Sequence, residues 1–79
     1  MMPMGNVLAQ RIEETLKPIV GTVLASVSVD LECRRIGKTP DTIVRGDLDL
    51  IAENLVGQLR LVVGADLAAA AAQRVRDLA

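Results

Sequence analysis

Cys33 is the one side chain of this chain that could act as a strong nucleophile. A reactive thiolate needs a neighbouring cation, a helix N-terminus or a general base to lower its pKa. Arg34 and Arg35 follow it directly, but the chain has no His to serve as the base. The helical periodicity places Cys33 near a helix C-terminus, where the backbone dipole disfavours an anion. Burial as a small apolar residue is therefore the expectation. Asp49 and Glu53 form a second constellation. At i,i+4 they share one helix face and could hold a divalent cation, with Asp47 close by, but two carboxylates without further ligands make a weak site. A solvated polar face is expected instead, and so are Glu13/Glu14 and Asp30/Glu32. Neither a metal nor another cofactor is expected. Ser26 and Ser28 have no base to activate them, and no Gly-rich loop has phosphate-binding spacing. Arg45-Gly46-Asp47 spells an adhesion tripeptide but reads as a helix entry, with Gly46 in the turn and Asp47 as cap. The chain is expected not to be an enzyme.

Composition supports that reading. There is no His, Phe, Tyr or Trp among the 79 residues. The usual proton-transfer group and metal ligand is missing, and so are the rings on which bases and sugars stack. Net charge is −1, with no basic stripe to neutralise phosphates, so nucleic-acid binding is not expected. The uncharged stretch from Pro18 to Val29 is too short to span a bilayer, which needs about 20 apolar residues. The N-terminus lacks the basic and apolar regions of a signal peptide. A cytoplasmic protein without membrane contact is expected.

The elements follow from periodicity. Residues 1–5 are expected to be disordered, and residues 6–79 to form a single helical domain. Asn6 can cap a helix. Leu8, Ile12, Leu16, Ile19, Val20, Val23, Leu24, Val27 and Leu31 then recur at steps of three and four, which is a helical stripe. Pro18 interrupts it, either kinking one long helix or starting a second. Gly37 suits the position after a helix end, with Arg34 and Arg35 in the last turn. Residues 26–33 also alternate apolar and polar, the period of a strand. An α+β fold with that segment as a strand is the alternative. Residues 37–46 read as a connection. Asp47 then caps a helix to Val63, Gly64 ends it, and Asp66 caps a last helix of about 66–78. No internal repeat is evident. The expected fold is all-α: a small bundle with a long, Pro-kinked first helix over about 6–36, packed by a C-terminal αα-hairpin.

Half the chain is hydrophobic, 51%, enough for a core, yet a chain this short buries a modest fraction of its surface. A single Cys excludes an internal disulfide. Self-association is the remaining stabilising device, and a homodimer is expected. Gly21, Ala25, Val29 and Cys33 recur every four residues, and small residues at that spacing let helices approach closely. They suit either a tight crossing within the chain or a seam between two copies, and they are the candidate interface. The alternative function is a small nucleic-acid-binding regulator built on the helical hairpin of 47–78. A recognition helix, however, needs polar or basic groups in its first half, where this one has Ala68 to Ala72.

The run Leu16-Lys17-Pro18-Ile19-Val20-Gly21-Thr22-Val23-Leu24 resembles the opening of small helical modules of unassigned function attached to bacterial and archaeal signalling proteins. Gly37-Lys38-Thr39-Pro40-Asp41, and Val63-Gly64-Ala65 before the Ala-rich helix, are similar in order and spacing. The likeness covers residues 8–78. Thr22 stands where those modules carry Pro. The resemblance implies an interaction role with an unidentified protein partner, accessory to signalling, and carries over no catalytic residue.

Overall fold

The computed structural model describes residues 7–78. The disordered start expected over residues 1–5 and the Asn6 cap lie outside them. Four helices follow in order: α1 Val7–Val20, α2 Thr22–Arg35, α3 Leu48–Val63 and α4 Ala65–Arg76, with a 3₁₀ turn at Arg45–Asp47. The fold is all-α, as the periodicity predicts. Residues 26–33, the segment with strand-like alternation, lie inside α2.

The first helix is not one long kinked rod. Pro18 sits inside α1, on its exposed side in the last turn. There the ring removes a single backbone donor, and the helix continues through it. The break comes at Gly21, with φ 86° and ψ 166°. That region of backbone space is essentially closed to residues with a Cβ. Its N–H closes α1 by donating to the Lys17 carbonyl at 2.9 Å. Its own carbonyl opens α2 by accepting from the Ala25 N–H at 3.0 Å. One residue therefore ends one helix and begins the next, and α2 packs back on α1.

Gly64 does the same between α3 and α4. Its φ is 89° and ψ 167°. Its N–H donates to the Arg60 carbonyl at 3.0 Å, and its carbonyl accepts from Ala68 at 3.1 Å. This match overturns the expectation that the chain has no repeat. At the offset that carries Gly21 onto Gly64, Ala9, Leu16, Val20, Leu24 and Ala25 fall on Ala52, Leu59, Val63, Leu67 and Ala68. Ile12 falls on Leu55 and Lys17 on Arg60. Burial repeats as well. Ala9, Ile12, Leu16, Ala25, Ser28, Val29 and Glu32 are buried, and so are their equivalents Ala52, Leu55, Leu59, Ala68, Ala71, Ala72 and Val75. The two hairpins interlock reciprocally, α1 against α4 and α3 against α2. All four helices feed one hydrophobic core.

The ends of the elements differ in detail from the sequence reading. Gly37 ends α2 as expected: its N–H donates to Arg34 O at 3.0 Å and the Lys38 N–H to Cys33 O at 2.8 Å. This is the Schellman pattern. Asp47 does not cap α3 with its side chain. Its Oδ2 turns back and accepts from Lys38 Nζ at 2.8 Å and from the Val44 N–H at 2.9 Å. The Lys38 bond and the Val44 N–H hold its carboxyl below the usual range. Asp66 lies within the first turn of α4, whose cap position is Gly64. Between these points Thr39 and Thr42 close a turn around Pro40, and Ile43 plugs into the core.

Candidate functional site

The residues that set this chain apart lie on α2. A helix on a core buries apolar groups and exposes polar ones. α2 departs from that rule on both faces. It buries Ser28 and Glu32, and it exposes Val23 at 78%, Val27 at 52% and Leu31 at 39%. The cause is the joint at Gly21. The stripe of α1 continues in the sequence through Val23, Val27 and Leu31, but the turn at Gly21 resets the helical phase. The row that enters the core is Ala25, Ser28, Val29, Glu32 and Cys33.

The expected seam is therefore divided. Ala25, Val29 and Cys33 are buried in the chain's own core, and Gly21 is the exposed joint. Three of the four contribute to packing within the chain and are not presented to a second copy. The space around Gly21 is open: a Cβ built there meets nothing within 4 Å. Backbone conformation, not close approach, is the reason for glycine.

Ser28 and Glu32 meet α3. Gln58 Nε2 donates to Ser28 Oγ at 3.0 Å. One turn further along, both carboxylate oxygens of Glu32 are buried without a hydrogen-bond partner, and so is Gln58 Oε1. Arg35 Nε stands 3.4 Å from Glu32 Oε2, an ion-pair contact from an exposed side chain. Burial pushes the Glu32 carboxyl above its ordinary value. Arg35, and the Asn54 side chain more weakly, pull it the other way.

Cys33 is buried, and its thiol is pushed up to about 11, first by burial and then by Asp30, Asp47 and Glu32. It stays protonated near neutral pH, the opposite of what a nucleophile needs. Asp49 and Glu53 are exposed on α3, and Asp49 Oδ1 lies 3.6 Å from Arg76 Nε. No group of three or more potential metal ligands forms among the described residues. In Arg45-Gly46-Asp47 the first two residues are exposed, while the Asp47 carboxylate is held by Lys38. In the first half of α4, Ala68, Ala71 and Ala72 are buried against the core. Its Arg76 is turned to Asp49, and Gln73 Nε2 donates to Asp77 Oδ1 at 3.0 Å.

An open groove of about 750 Å³ lies between α1, α2 and the connection, with Glu13, Glu14, Lys17, Asp30 and Asp41 on its walls. Asp30 pairs with Arg34 at 3.2 Å. No helix among the described residues is long and apolar enough to cross a membrane. No family model, curated protein or solved structure matches this chain.

Proposed function

We propose that this chain is a non-catalytic self-association module whose contact surface is the outer face of α2. One observation carries the reading: α2 sets Val23, Val27 and Leu31 in a single exposed row, where α4 has Asp66, Ala70 and Arg74. The contact thus lies one row outside the small-residue line of Gly21, Ala25, Val29 and Cys33.

The occupant that fits is a second copy of α2, running antiparallel. A twofold axis through Val27 sets Val23 against Leu31 of the partner subunit. The row is uncharged, and Asp30 and Arg34 beside it already pair with each other at 3.2 Å. Two copies can meet there without opposing like charges, and their helix dipoles run in opposite directions. Full burial of such a side chain is worth roughly 1.5–3 kcal/mol. Three from each copy, partly covered already, stand against an association cost of about 4–15 kcal/mol. The balance favours a weak dimer whose population depends on concentration.

Sedimentation equilibrium across a concentration range, with circular dichroism on the same samples, tests this. The wild type is expected to pass from monomer to dimer as concentration rises. Val27→Glu is expected to stay monomeric with unchanged helix content. Ala70→Glu, at the equivalent place on α4, is expected to dimerise as the wild type does. A wild type that is monomeric throughout, or a Val27→Glu variant that dimerises normally, overturns the reading.

A further inference from the structure

The repeat supplies an internal control for the buried polar groups of α2. At the positions of Ser28 and Glu32 the second hairpin has Ala71 and Val75, equally buried. The architecture therefore accepts small and apolar side chains there, and its packing does not require a carboxylate. Yet α2 carries one with its side chain 0% exposed. Burying an ionised carboxylate is expensive unless it is paired and hydrogen-bonded. Here neither oxygen has a donor in full hydrogen-bonding geometry: the exposed Arg35 Nε stands 3.4 Å from Oε2, and the Asn54 side chain on the facing helix supports the carboxylate more weakly still.

The weak support from Arg35 and Asn54 leaves the buried carboxylate under-satisfied. No cluster of further ligands for a metal ion accompanies it among the described residues. A proton is the cation that needs no room. We infer that Glu32 is a proton-binding site between α2 and α3, which holds its proton more tightly while the two helices are seated together than when they separate. A protonated carboxyl is neutral and has an O–H to donate. It removes the buried charge that the surroundings only weakly support.

The surroundings are consistent with this. From α2 the nearby ionisable groups are the Asp30–Arg34 pair, the Cys33 thiol and Arg35. From α3 the facing groups are Asn54 and Gln58, which do not titrate. From the connection they are Lys38 and Asp47, paired at 2.8 Å. Arg35 is the one charge among these that acts on Glu32, from an exposed side chain. Burial outweighs it, so the carboxyl holds its proton more tightly when folded than when unfolded. The sign follows from linkage. The contribution of Glu32 to stability is greatest below the unfolded value near 4.5. It falls as pH rises through the raised folded value. This is the reverse of ordinary acid denaturation, and it does not depend on dimer formation.

The test is denaturant unfolding of the full chain across mildly acidic to neutral pH, beside a carbon-13 titration of the Glu32 carboxyl. The difference between wild type and Glu32→Gln isolates this group from the other carboxylates. The wild type is expected to gain midpoint relative to Glu32→Gln on acidification, and Glu32→Gln is expected to be the more stable of the two at neutral pH. The double variant Ser28→Ala with Glu32→Val, which imports the pair from α4, is expected to fold and to show the same loss of pH response. The carboxyl resonance is expected to titrate above the ordinary Glu range. An ordinary titration value, or a wild-type pH response identical to that of both variants, overturns the inference. The wild-type titration decides the matter even if the variants fail to fold.

Discussion

The hairpins α1–α2 and α3–α4 share a joint and a burial pattern, but they use the second helix differently. α4 turns Ala68, Ala71, Ala72 and Val75 inward and, apart from Leu67 in its first turn, leaves polar or small residues outside. With so little bulk between them, α3 and α4 make the most extensive helix contact in the molecule. α2 turns Ser28 and Glu32 inward and leaves Val23, Val27 and Leu31 outside. One scaffold therefore carries a helix suited to holding the fold and a helix whose polarity is partly inverted. The lesson is that the joint sets the phase of the second helix, and the residues placed on that phase decide what it is for.

The hardest test of the equivalence removes matched core side chains. Leu16→Ala and Leu59→Ala are each expected to lose about 2–5 kcal/mol by chemical denaturation, because both residues are fully buried. A loss at one site alone would mean that the halves do not share a core. Next come the joints. Gly21→Ala and Gly64→Ala are each expected to lose about 1–3 kcal/mol, since both backbones lie where a Cβ is strained. Equal losses sharpen the comparison, and a neutral Gly21→Ala would break it. Thiol alkylation then probes the inner face of α2. Native Cys33 is expected to react far more slowly than in denaturant, because burial holds the thiol protonated up to about 11. Rapid reaction of the native protein would show that this face opens readily.

Smaller effects are expected outside the core. Asp47→Asn removes a carboxylate that accepts from Lys38 and Val44. Its folded pKa is lowered, so its contribution is present above the unfolded value of 3.8 and is lost as pH falls through the folded one. A modest drop in Tm at neutral pH, absent in strong acid, is expected from thermal melts. Arg76→Ala is expected to change stability by about 0–1 kcal/mol, as the contact with Asp49 is long and largely exposed.

Much of the architecture is legible in the amino acids. The period of Leu8, Ile12 and Leu16 predicts α1, and Leu48 to Val63 predicts α3. Gly37 and Gly64 mark helix ends where they stand. Pro18 misleads, since proline is the commoner helix breaker, yet its place in an exposed last turn makes it harmless. Gly21 reads as a small residue for close packing, whereas its role is conformational. The apolar stripe runs unbroken across it in the sequence, because one residue of unusual backbone geometry leaves the spacing of side chains unchanged while rotating everything after it. That is why Val23, Val27 and Leu31 read as core and Glu32 as surface. The signal that could have corrected this was the second glycine. Laying Gly21 on Gly64 sets Val23, Val27 and Leu31 over Asp66, Ala70 and Arg74, which are plainly outward.

The one-residue joints also bear on how fast the molecule assembles. Each brings together helices that are neighbours along the chain, so much of the native structure can form over short loops before distant segments meet. Chains dominated by such near-sequence contacts belong to the microsecond-to-millisecond class. The slow event is then the encounter of two nascent hairpins across residues 36–47. Temperature-jump relaxation would reveal it as a phase sensitive to changes at Ile43 and the Lys38–Asp47 tie, and indifferent to changes on the outer flank of α4.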